Sequence, residues 1–108
     1  MVQKFGAGIW HFATYVDRYN TEGYGEPRSV LDAIKLAGQV KDLSVVDINF
    51  PYFGGSFSNQ QIKNELNEVD LEVIGITPEI YTKEFRKGAF TNPDPGIRNR
   101  AHELITEA

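Results

Sequence analysis

The segment LSVVDINFPYFGGSFSNQQIKNELNEVDLEVIGITP, residues 43 to 78, decides the fold class. Its two ends, LSVVDINFP (43–51) and LEVIGITP (71–78), are short apolar runs rich in β-branched residues, and a proline closes each. Both read as strands, because branched side chains suit a pleated backbone and proline cannot continue a hydrogen-bonded ladder. Between them Ser58 stands as an N-cap ahead of Gln60 to Val69, where Ile62, Leu66 and Val69 recur at i, i+4 and i+7. That spacing places three apolar side chains on one helical face. Buried-type strands on either side of an amphipathic helix make a parallel crossover unit.

The same unit recurs on both sides. Upstream, KFGAGIWHF (4–12) is short, apolar and Gly-rich, which suits a buried strand. Glu26-Pro27-Arg28-Ser29 then opens a helix whose apolar face is Val30, Leu31, Ile34, Leu36, Ala37 and Val40. Downstream, Asp94 and Pro95 occupy N-cap and first-turn positions of a last helix carrying Ile97, Ala101, Leu104 and Ile105. The order β-α-β-α-β-α predicts an α/β fold with a parallel sheet and helices packed on it.

Two parallel architectures fit that order. A dinucleotide-binding sheet wants a G-x-G-x-x-G turn opening the first helix, whereas Gly6 and Gly8 lie inside the first strand. A barrel of β/α units instead concentrates chemistry at the C-terminal ends of its strands. Here the first strand ends in Trp10 and His11, the second in Asp47, Asn49 and Tyr52, and the third in Thr77, Glu79 and Tyr81. The expectation is therefore one domain, residues 1–108, built as three consecutive β/α units of a partial (β/α)8 TIM barrel. A closed barrel needs eight units and about 250 residues, so the sheet is expected to be open. Its edge is expected to be covered by self-association or by further barrel units.

Composition narrows the function classes. With 41% hydrophobic and 12% aromatic residues the chain is globular, and a formal charge of −4 argues against nucleic acid, which demands a clustered positive surface. The absence of cysteine removes disulfides, thiolate nucleophiles and Cys-based zinc sites. No apolar run is long enough for a membrane span, and the N-terminus lacks the apolar region of a signal peptide, so a cytoplasmic location is expected.

The segment TPEIYTKEFRKGAFTNPDPGIRNRA (77–101) resembles the third strand and following loop of xylose isomerases. Their version passes through a threonine, an asparagine, an aromatic pair and a phenylalanine into G-A-F-T-x-x-D-x-x-V-R-x-x-A. GAFTNPDPGIR (88–98) is the most specific part of the match, and KFGAGIWHF is similar to that family's first strand, K-F-x-F-G-L-W-T. The resemblance runs in order along the whole chain, with the first helix and second strand matching in pattern only. It implies the N-terminal portion of a xylose-isomerase-like TIM barrel, on the sugar isomerase and epimerase branch. Such enzymes interconvert aldoses and ketoses with one or two divalent metals (Mg²⁺, Mn²⁺ or Co²⁺), which polarise substrate oxygens. Their metal ligands are carboxylates and a histidine on later strands, so no ligand is expected in this chain, nor activity from it alone. A catalytically silent partial barrel, acting as a self-associating or complementing module, is the alternative. A DNA-repair endonuclease of the same superfamily ranks below both for want of basic residues and early histidines.

On this resemblance Trp10 matches the apolar wall beneath a sugar ring, and Thr77 and Tyr81 match residues that touch substrate directly or through water. His11 stands where the family has threonine; a hydroxyl contact and a buried, hydrogen-bonded histidine fit equally. Glu79 has no counterpart there, and either binds a sugar hydroxyl or is a solvated loop carboxylate. The family's second strand ends in F-H-D, with a histidine that assists ring opening, whereas this chain reads SVVDINFP. Xylose is thereby put in doubt. Asn49 offers both a donor and an acceptor to a hydroxyl, and shares a strand face with Asp47 by the period of two. The expected substrate-binding set is thus Trp10, His11, Asn49, Thr77, Glu79 and Tyr81, for a small-molecule sugar. Asp17 and Arg18 are read first as an exposed ion pair or loop brace, with Arg18 reaching a substrate carboxylate, phosphate or sulfonate as the alternative. His102 is read as solvated, and Asn92 to Pro95 as a helix entry.

Overall fold

A computed structural model describes residues 3–14, 16–17 and 19–108. Strands β1 (Phe5–Gly8), β2 (Leu43–Phe50) and β3 (Glu72–Pro78) form one parallel sheet in the order β1-β2-β3. Helices α1 (Val30–Ala37) and α2 (Asn59–Glu68) connect the strands, and α3 (Pro95–Glu107) follows β3. The chain is α/β, alternating strand and helix. Among the described residues no helix is long and apolar enough to cross a membrane.

Each helix starts where a side chain satisfies its free N–H groups. Ser29 accepts from the Asp32 amide, and Asp94 accepts from the Gly96 amide with Pro95 in the first turn. Ser58 and Gln61 form a reciprocal capping box on α2. Both α-to-β connections end on an aspartate in the left-handed region, Asp42 (φ 67°) before β2 and Asp70 (φ 57°) before β3. A short polar side chain tolerates that conformation better than most.

The main core lies between one face of the sheet and the first two helices. Val46 and Ile48 of β2 meet Val30, Ala33, Ile34 and Ala37 of α1 and Ile62 and Leu66 of α2, with Ile9 and Leu71 completing the cluster. A smaller core joins Ala101 and Leu104 of α3 to Phe85, with Phe50, Ile80, Ala89 and Ile97 around it. Helix α3 is thus anchored on the loop after β3 and on the end of β2.

Three expectations change. The first strand ends at Gly8, and Ile9–Phe12 turn as a 3-10 helix, so Trp10 and His11 sit on a turn beyond the strand. Burial of Ile9 in the main core pulls the chain out of the sheet there. Val40 lies past the end of α1 and is exposed, as is Ile105 on α3. A further 3-10 turn, Lys83–Phe85, carries the side chain that anchors α3.

Candidate functional site

The face of the sheet away from the helices carries the polar residues. Asp47 of β2 lies beside Gly75 of β3, and Asn49 beside Thr77. Thr77 Oγ1 donates to Asp47 Oδ1 at 2.7 Å, tying the two strands together by their side chains. Gly75 makes room for this bond: a Cβ there would stand 2.6 Å from Asp47 Oδ2. Asn49 is only 1% exposed, and its Nδ2 donates to the Tyr81 hydroxyl at 2.8 Å. A buried amide that finds such a partner is held in one orientation.

Beyond the C-terminal ends of the strands opens a cavity of about 530 Å³, with Trp10, Asn49, Thr77, Glu79 and Tyr81 in its walls. That volume is in the range of small-molecule sites. The Trp10 indole folds back over the end of β1, since a Cβ on Gly8 would lie 2.1 Å from indole Cζ2. A side chain at position 8 would displace the ring. Phe53 and Gly54, from the loop after β2, complete the wall on that side.

Glu79 directly follows β3, and its amide donates to the Phe50 carbonyl at 2.8 Å, extending the β2–β3 ladder by one step. Its half-buried carboxyl makes no ion pair among the described residues. Burial disfavours the charged form and raises its pKa from 4.5 to about 6. Near neutral pH it is mostly ionised, yet it takes a proton more readily than an ordinary glutamate.

Residues 13–14, 16–17 and 19–28 contribute the remaining wall, which is braced from within. Asp17 Oδ1 accepts from the amides of Tyr19 and Asn20, both at 2.8 Å, and Oδ2 accepts from the Tyr24 hydroxyl at 3.1 Å. Thr14 Oγ1 donates to the Glu26 carbonyl and accepts from the Arg28 amide. Arg28 Nη1 donates to the Phe12 carbonyl at 2.6 Å, joining the turn after β1 to the entrance of α1. Asp17, Thr14 and Arg28 all border the cavity. Arg18, read in the sequence with Asp17, lies outside the described residues.

Five of the six expected site residues therefore border one cavity. His11 does not. It is exposed, with Nδ1 3.1 Å from the Gly8 carbonyl and its ring 5.9 Å from that of Trp10, outside the cavity lining. The turn at Ile9–Phe12 sends neighbouring side chains in different directions, so Trp10 and His11 part company. Sequence reasoning did not single out Arg28, Phe53 or Gly54 for the site. In the sequence Arg28 reads as part of a helix entry, and only the closing of the loop brings it to the cavity.

The GAFTNPDPGIR motif is structural here. Buried Asn92 donates from Nδ2 to the Gly88 carbonyl and accepts on Oδ1 from the Asp94 amide. Arg98 Nη1 reaches back to the carbonyls of Asn92 and Pro93. These bonds set the entry angle of α3. His102 is exposed on that helix, with its ring 4.9 Å from that of Phe90.

Among the described residues no three His, Asp or Glu side chains converge as a metal site would need. No protein-family model and no curated protein matches the chain.

Chemically, the cavity pairs an aromatic face with positioned hydroxyl, amide and carboxyl groups. Such a combination suits a small ligand with both an apolar face and hydrogen-bonding groups.

Proposed function

We propose that the chain is a carbohydrate-binding portion of a xylose-isomerase-like barrel, supplying the substrate-side wall of a metal-dependent sugar isomerase or epimerase. One observation carries this reading: Trp10, Asn49, Thr77, Glu79 and Tyr81, from three separate strand ends, border a single cavity. Trp10 offers the apolar wall. Asn49 and Tyr81, fixed by their mutual hydrogen bond, offer polar groups to hydroxyls, and ionised Glu79 accepts from a hydroxyl donor.

In this reading a divalent metal (Mg²⁺, Mn²⁺ or Co²⁺), held by groups other than the described residues, would supply Lewis-acid chemistry to the sugar's oxygens. Among the described residues no carboxylate or histidine cluster fits such an ion. The chain's own contribution is to bind, orient and exclude water. A cytoplasmic location goes with the reading.

Trp10 is the only tryptophan of the chain, so its emission reports on the cavity alone. Titration with a panel of aldoses and ketoses is expected to shift that emission saturably, and Glu79→Gln is expected to weaken the response. A flat emission across the panel sinks the sugar reading. Isomerase assays with Mn²⁺ are expected to show no turnover by this chain alone.

A second reading, a structural module without a ligand, draws on the open sheet. Strands β1 and β3 both lack an outer neighbour among the described residues, and Ile74 and Ile76 of β3 are exposed. Such a module associates with itself or with complementary barrel units.

A further inference from the structure

Arg28 is the only cationic side chain among the described residues that border the cavity. It is half-buried, yet its guanidinium makes one hydrogen bond, to the Phe12 carbonyl. No carboxylate of the described residues pairs with it. A partly desolvated guanidinium with a neutral partner is unusual, because removing the charge from water costs energy that a counter-ion normally offsets. The arginine fork carries five N–H donors in a plane, and a single carbonyl uses one.

The nearby acids do not supply the missing charge. Asp17 already accepts three hydrogen bonds from its own loop, and Glu22 is exposed at the cavity border. Glu79 belongs to the wall after β3, whereas Arg28 stands ahead of α1, and no ion pair joins them. The cavity therefore has on one wall an Arg28 guanidinium without an ion-pair partner among the described residues, and on another the Glu79 carboxyl, with the Trp10 ring in the lining.

We propose that Arg28 forms an anion subsite, so that the ligand of this cavity is a polyol carrying a phosphate, sulfonate or carboxylate group. The inference rests on the sugar reading and adds the chemical class of its ligand. The anion takes the free N–H groups of the Arg28 fork while the hydroxyl chain runs along Trp10 towards Asn49 and Glu79. Charge-assisted bonds of this kind are roughly twice as strong as neutral ones.

The test is a set of amide chemical-shift titrations of the chain with D-glucose, D-glucose 6-phosphate, D-glucuronate and inorganic phosphate. The same titrations are run on Arg28→Gln and Arg28→Lys. For the wild type, at least one anionic sugar is expected to bind about tenfold more tightly than glucose or more. In Arg28→Gln that advantage is expected to vanish while glucose affinity holds, and Arg28→Lys is expected to retain part of it. Comparison of the 6-phosphate with the glucuronate identifies which anion is preferred.

Equal affinity for neutral and anionic sugars overturns the anion subsite and leaves the sugar reading standing. Equal loss of glucose and anionic-sugar binding in Arg28→Gln also overturns it, since Arg28 is then only a brace for the Phe12 carbonyl. If inorganic phosphate binds as tightly as the sugar phosphate and glucose does not bind, the polyol ligand is overturned and an anion site alone remains. Absence of binding by every probe refutes both readings.

Discussion

Glu79 shows how much one side chain's surroundings alter its chemistry. Packed into the cavity wall without a cation, its carboxyl is raised to about 6 by burial. The folded state therefore holds a proton more tightly than the unfolded chain. Its contribution to stability is fully present below about 4.5, the ordinary value, and is lost as pH rises through about 6. Glu79→Gln removes this dependence. After discounting for the solvent that reaches the cavity, the variant is expected to be more stable than wild type by about 1 kcal/mol at pH 7.5 and equal to it at pH 4.5. Thermal melts across that range check the sign; a gap that widens on acidification refutes it. Stability gained with loss of sugar response in the same variant is the pattern expected of a residue retained for a site.

At the level of elements, the two β/α connections and α3 are built differently. Helices α1 and α2 bury their stripes against Val46 and Ile48 of the central strand. Helix α3 instead holds on through Ala101 and Leu104 around the buried ring of Phe85, supplied by a short turn. Phe85→Ala is expected to cost about 3–5 kcal/mol, the range for emptying a buried phenylalanine site. Because the two clusters are separate, the loss is expected to fall on α3 first. Amide hydrogen exchange distinguishes the outcomes: α3 loses protection while β2 and α1 keep theirs, and uniform loss along the chain shows one cooperative core instead.

Taken whole, the molecule has more surface than its mass calls for. Its accessible area is 7136 Å², against about 6,100 Å² for a compact monomer of this mass. The radius of gyration is 14.9 Å, where about 13 Å is usual for such a length. The excess coincides with the open sheet. Ile74 is 66% exposed and Ile76 46% on β3, and Phe5 is 55% exposed on β1. Apolar side chains beside unpaired strand edges favour association with another chain. Sedimentation equilibrium is expected to show concentration-dependent self-association, and Ile74→Lys with Ile76→Lys to shift the chain towards monomer. A wild-type monomer at all concentrations refutes this.

The order of elements was legible in the sequence because it depends on local physics. Apolar runs ended by Pro51 and Pro78, the caps at Ser58 and Asp94, and the i, i+4 spacing of Ile62 and Leu66 each act within a few residues. Their agreement makes the chain α/β with a parallel sheet. Trp10, Asn49, Thr77, Glu79 and Tyr81 were legible as candidates because strand-end positions follow from strand positions. The parting of Trp10 from His11 was not, since it follows from the burial of Ile9 among residues of α1, α2 and β2 far along the chain. Nor was Arg28, whose place beside the cavity depends on its bond to the Phe12 carbonyl sixteen residues away. Sequence alone determined the order of strands and helices, though not where the first strand stops. Tertiary structure decided which side chains share a cavity and which charges lack partners there, because burial and pairing depend on distances that local pattern does not contain.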